Sequence, residues 1–325
     1  MKRLALPVAV LAVLFSTDYS QSVTTTADVV LLAPITGNDN GGNCGQGAFG
    51  PCKTFAAALA NTNDPGTIAI IESGQFAPIT ITTGLSITCP GVTCLFDGSA
   101  AANGGTAQTA ITVNGATKTV SLHNVTMSGF GTGVIGLSVT AVDKLDVSDC
   151  GISGNGIGIS FTPGTGANSH LVLRGSTVRF STSQNVLIAP TGSTSATVVL
   201  RDTKIHHGMA GIKADASVGT GGISMVVVDS QIMFHNNNGI NAYTNVSGGP
   251  SVTVLLDRVD VSHSSGNGVS ANGSAAVLAL SKSMVTQTAE ALTPVNGGQI
   301  FTYGDNDINF NSSNGPAPTT AGGYR

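Results

Sequence analysis

Residues 199–212 read VLRDTKIHHGMAGI. Arg201, Asp202, Lys204, His206 and His207 gather one carboxylate, two cations and two imidazoles there. On an extended strand Asp202, Lys204 and His206 would share a face, because alternate side chains point the same way. That is material for a general acid and base, or for a metal site. The same residue types also decorate ordinary solvent-facing coils. The scaffold that holds them therefore decides what they can do.

Two longer spacings point the same way. His123, Ser148, Arg174, Arg201, Asp229, Asp257 and Ser281 follow one another at nearly constant intervals. On one outer column, Arg174 and Arg201 above Asp229 and Asp257 could cradle a sugar carboxylate or a cation. The simpler outcome is an ion pair between neighbouring units, Arg201 with Asp229, of the kind that contributes about 0–1 kcal/mol when exposed. Phe180, His207, His235 and His263 recur in a second series. Imidazoles at such spacing are weak metal-ligand candidates, and Phe180 in the series favours a stacked ladder at a turn.

These series lie inside a repeat. Leu122, Val147, Leu173, Leu200, Val228, Leu256 and Leu280 form one apolar column. Five residues on lie Met127, Ile152, Val178, Ile205, Met233, Val261 and Val285. Val134, Ile159, Val186, Ile212, Ile240 and Val269 make a third. Three apolar columns at fixed offsets, with a period of roughly 25–28 residues, mark a solenoid. No unit carries the long 3.6-residue pattern of a helical repeat. Short apolar runs between Gly, Asn and Ser predict an all-β parallel β-helix, each coil bonded to the next at about 4.8 Å. The offset Val125, Cys150, Ser176, Thr203, Gln231 and Val259 predicts Cys150 as a small core filler.

Composition narrows the partners. Only 13 of 325 residues are Lys or Arg, and the net charge is −4, which argues against nucleic acid. Lys2 and Arg3 precede an apolar run from Leu4 to Phe15, the pattern of an export signal ending near residue 27. No later run is long and apolar enough to predict a membrane span. Cysteine usage fits an oxidising compartment, hence a secreted, periplasmic or cell-surface protein. Of the three pairings of Cys44, Cys52, Cys89 and Cys94, the local ones, 44–52 and 89–94, are the simplest. A four-cysteine zinc site is the alternative.

Residues 51–76, PCKTFAAALANTNDPGTIAIIESGQF, followed by these coils, resemble the right-handed parallel β-helix superfamily, the pectate-lyase-like fold. The resemblance implies a single-stranded right-handed β-helix over residues 51–310. It also implies a capping helix near Lys53 to Ala60, a turn at Asp64-Pro65-Gly66 and a first strand just after it. Residues 28–50 are then a Gly-rich lead-in, and 311–325 a disordered tail. Lyases of this fold use acidic calcium ligands with an Arg or Lys base. Hydrolases of this fold carry paired aspartates and a Gly-His-Gly. Neither set stands intact here, since His206-His207-Gly208 lacks the leading Gly. The expectation is a non-catalytic exported protein that binds a polysaccharide or cell-surface glycan without a cofactor. A diverged lyase, with calcium, or a glycoside hydrolase is the alternative.

Overall fold

The computed structural model describes residues 26–39, 42–245 and 249–320. The proposed export signal lies almost wholly outside them. The described chain is an all-β solenoid in which every paired strand is parallel.

Three sheets wrap one apolar core. The first runs from Ala27–Leu32 through Thr62–Ile70 and Leu85–Thr88 down to Gln299–Thr302. In it Leu122, Val147, Leu173, Leu200, Val227, Leu256 and Leu280 stand in register, all buried. The second sheet stacks Met127, Ile152, Val178, Ile205, Ile232, Val261 and Val285. The third stacks Leu137, Ile159, Val186, Ile212, Ile240, Val269 and Leu292. Each fully buried Leu or Ile contributes about 1.5–3 kcal/mol.

The predicted columns therefore hold, with one slip of phase. In the coil that starts at Met225, Val227 and Ile232 face inward, not Val228 and Met233. The run MVVVDSQIMF has apolar residues at adjacent positions, so alternation cannot set its phase. The turn sets it. Asn124, Asp149, Gly175, Asp202, Asp229, Arg258 and Lys282 all take left-handed backbone, with φ between 47° and 57°. Asn, Asp and Gly tolerate that conformation best, which explains why they dominate this corner. Asp229 takes the place of Asp202, exactly one coil on, and drags its neighbours into phase. A second correction concerns Val134, which is exposed at a corner while Leu137 fills the core.

One residue past this turn, a hydroxyl column runs inside the wall. Ser176, Ser230 and Ser283 each donate to the carbonyl two residues back, at 2.7–2.8 Å. Each also accepts a backbone N–H from the preceding coil, from Cys150, Thr203 and Val259. Cys150 sits in this column, buried, with its Sγ 3.2 Å from the Ser148 carbonyl. Ser230, not the predicted Gln231, is the member contributed by its coil.

The N-terminal end is closed. The helix is Phe55–Ala60, beginning after Thr54, whose Oγ accepts from the Ala57 N–H. Phe55 meets Phe96 edge-on at 5.9 Å and plugs the open core. The Cys44–Cys52 disulfide ties a loop onto the outer edge of Ala27–Leu32, where Leu31 and Ala33 bond to Gly45 and Cys52. An otherwise free strand edge is thereby satisfied. The second disulfide is Cys89–Cys94, so both local pairings form. The coils begin at Ala27, earlier than residue 51, and Asp64-Pro65-Gly66 lies within the strand Thr62–Ile70. The described part of the predicted disordered tail, residues 311–320, is bonded to the coils. Asn311 bonds to Thr288, and Thr319–Thr320 pairs with Phe301–Thr302.

Candidate functional site

Polar chemistry collects at the two corners that flank the second sheet. At the first corner the predicted quartet does not form one cradle. Register places Arg174, Arg201, Val228 and Asp257 in a line, so Asp229 belongs to the neighbouring turn column. Arg174 donates to both oxygens of Asp146 at 2.8 and 2.9 Å. Arg258 donates to Asp229 at 2.6 and 3.2 Å and also to Asp257. Arg201 makes no ion pair among the described residues, and the expected Arg201–Asp229 bridge is replaced by Arg258–Asp229.

The electrostatics follow from that pairing. The Arg258 hydrogen bond holds the Asp229 carboxyl below its ordinary range. Asp229 in turn holds the Arg258 guanidinium above its own. A general acid for glycosidic cleavage needs the opposite shift, a carboxyl raised towards neutrality. Calcium would have to compete with Arg258 for both Asp229 and Asp257.

The second corner carries a different surface. Phe130, Phe180, His207, Phe234, His263, Gln287 and Phe310 all take left-handed backbone there, with φ of 48–61°. Four of these are phenylalanines, for which that conformation is uncommon and costs about 1–2 kcal/mol. The rings of Phe180, His207, Phe234 and His263 form a ridge along the solenoid, and Gly154 separates it from Phe130. Phe180 and His207 centroids lie 5.3 Å apart, His207 and Phe234 4.9 Å, and Phe234 and His263 4.6 Å. Gln287 interrupts the ridge before Phe310, which is 82% exposed. Two shallow clefts flank it. One of about 470 Å³ is lined by Phe180, Thr182, His207, Met209, Phe234 and Asn236. The other, of about 500 Å³, lies among His263, Ser265, Gln287, Ala289, Phe310 and Ser312.

The histidine series is corrected here by the same phase slip. Phe234, not His235, is the ridge member of its coil. His235 follows Ser181 and Gly208 in register and is buried. Its Nε2 lies 3.1 Å from the Asn185 amide. Burial, aided by nearby His206 and His207, pushes its pKa down to about 4. His207 and His263 are separated by the Phe234 ring, so the three predicted imidazoles do not converge on one ion. Asp39, Cys44 and Cys52 also lie together, but both sulfurs are spent in the disulfide.

A scan of protein families and a search of curated proteins find no match. Among solved structures, the chain is similar to one titled "Crystal structure of pectate lyase Pel9A", with a TM-score of 0.59. Identity is 14%, over 91% of this chain and 82% of that one. The fold is the pectate-lyase-like right-handed β-helix. At that identity the likeness describes the scaffold, because fold alone does not carry chemistry.

Within this β-helix, sequence reasoning found His207 and His263 but missed Phe130, Phe234 and Phe310. The available signal was the one that fixes phase: Phe234 stands five residues beyond Asp229, as His207 does beyond Asp202 and His263 beyond Arg258. Asn185, the buried partner of His235, had no signal in composition or spacing.

Proposed function

We propose that the protein is an exported, non-catalytic β-helix that binds glycans along the aromatic ridge of its second corner. The carrying observation is the exposure of that ridge. Phe180 and Phe234 within it are 51% and 41% exposed, and Phe130 and Phe310 beyond its two ends 63% and 82%, all in a backbone conformation that disfavours them. Contiguous exposed apolar surface with a polar rim marks a contact site. Aromatic rings offer apolar area with a defined face and edge to the C–H groups of a sugar. Thr182, Asn236, Ser265 and Ser312 supply hydroxyls and amides beside it for sugar hydroxyls.

The pectate lyase likeness supports a polysaccharide as the ligand class. The commitment of Asp229 and Asp257 to Arg258 counts against the lyase and hydrolase alternative. Two disulfides and the basic-then-apolar N-terminus support export.

Glycan-array binding by the purified protein tests the proposal. Replacing Phe234 and Phe310 together with Ser should weaken binding roughly tenfold, with the thermal melt retained. Undiminished binding would sink the ridge. Turnover of a polysaccharide that one point mutation abolishes would sink the non-catalytic reading.

A further inference from the structure

Cations are scarce in this chain, and most of the acid-rich first corner is internally neutralised. Arg179 and Lys204 are different. They lie on adjacent strands of the second sheet, where Arg179 stands directly opposite His206 and Lys204 two residues before it. Both are exposed, and neither meets a carboxylate within ion-pair distance among the described residues. Arg179 bends towards the corner, its guanidinium 5.3 Å from the Phe180 ring centre. There it adjoins His206 and His207, whose Nδ1 atoms are 2.7 Å apart.

At that distance one Nδ1 donates to the other, so the fixed positive charges of the patch are Arg179 and Lys204, and nothing in the wall offsets them. Lys204 is followed in its ladder by Gln231 and only then by Asp260. His206 is followed by Met233, which is uncharged. The groups facing His206 are therefore Arg179, Lys204, His207, Phe180, Met233 and, from inside, His235. None is an anion.

The geometry points to a binding site for a tetrahedral oxyanion, a sulfate or phosphate ester borne by a glycan, built from Arg179, Lys204 and the His206–His207 pair. This deepens the glycan reading and rests on it for the carrier. The guanidinium fork comes from one coil, and the ammonium and an imidazole N–H from the next. Three donor groups suit a ligand with three or four acceptor oxygens better than a planar carboxylate. The site also adjoins the ridge, so a substituted sugar chain lying on Phe180 and Phe234 would place its ester over Arg179.

Acid should strengthen it. Burial, with His207, Arg179 and Lys204 adding repulsion, holds His206 below its ordinary pKa. A bound anion reverses that repulsion, so binding takes up a proton and tightens as pH falls.

The test uses the intact protein. Sulfate and phosphate ions, each titrated against chloride at constant ionic strength, should shift the imidazole resonances of His206 and His207. The stronger of the two identifies the ester. Dextran sulfate should bind more tightly than carboxymethyl-dextran, and both more tightly than unmodified dextran. Arg179→Gln and Lys204→Gln should each weaken dextran sulfate roughly fivefold, and Lys144→Gln or Lys282→Gln, equal in charge but elsewhere, less than about twofold. The gain in affinity between about pH 8 and pH 6 should vanish in His206→Gln. Equal losses in all four charge variants, or carboxymethyl-dextran binding as tightly, would overturn the site. Neutral-glycan binding with imidazoles silent to both ions would also overturn it while leaving the ridge intact. Imidazoles that respond to an ion while no glycan binds would uphold the site and remove the glycan.

Discussion

Asn185 donates its side-chain amide to Nε2 of His235 across 3.1 Å, although 50 residues separate them in sequence. Its carbonyl oxygen accepts the Ser181 N–H at 3.2 Å, which fixes the amide's orientation. Gly208 lies between Ser181 and His235, and a β-carbon there would sit 3.0 Å from both ends of the amide. The missing side chain thus opens the path between coils. Because Nε2 accepts, the imidazole is neutral with its proton on Nδ1, a buried atom that finds no partner.

That neutral, buried imidazole makes stability depend on pH. Its folded pKa of about 4 lies below the ordinary 6.5, so the unfolded chain binds more protons between those values. Stability is then full above pH 6.5, falls as the pH drops towards 4, and levels off below. The loss attributable to His235 reaches about 3 kcal/mol. Urea melts across this window check it, and His235→Ser should flatten the slope. An unchanged slope in that variant would place the acid sensitivity elsewhere.

The phase of the Met225 coil is testable at neighbouring residues. Val227→Asp would bury a carboxylate in the aliphatic column, at a cost of several kcal/mol. Val228→Asp would place it outward between Arg201 and Asp257, with a change of about 0.5 kcal/mol or less. Thermal melts of the pair distinguish the observed register from the one the repeat spacing predicts, which expects the reverse order.

Removing the Cys44–Cys52 disulfide should loosen the N-terminal cap. Closing a loop of this length constrains the unfolded chain by about 2–3 kcal/mol. A Cys44→Ala, Cys52→Ala variant should lose about that much stability, with faster amide exchange at Leu31 and Ala33. Exchange that rises uniformly along the solenoid would argue against a local clasp.

Cys150 should be inert in the native protein. Burial pushes its thiol up to about 12, so almost no thiolate exists near neutrality. A thiol reagent should react only after unfolding. Cys150→Ser should cost no more than about 1 kcal/mol, because Ser176, Ser230 and Ser283 already occupy the same column with a hydroxyl. Rapid native-state labelling would show the column to be open.

What the sequence determined by itself was the scaffold. Apolar residues recurring once per coil at Leu122, Val147, Leu173 and Leu200 can be buried together only by stacking, and the intervening Gly, Asn and Asp fit corners with left-handed backbone. Local cysteine pairs were legible for the same reason, since short loops bring them together whatever the rest does. The tertiary structure decided phase and pairing. Where VVV and IM gave alternation no purchase, only the turn at Asp229 settled that Val227 and Phe234, rather than Val228 and His235, take their places. The partner of Asp229 depended on Arg258 reaching across a coil, and the partner of His235 on the gap above Gly208. A period says which residues are neighbours to within one position. Side-chain chemistry depends on that one position, because each step along a strand exchanges core for solvent.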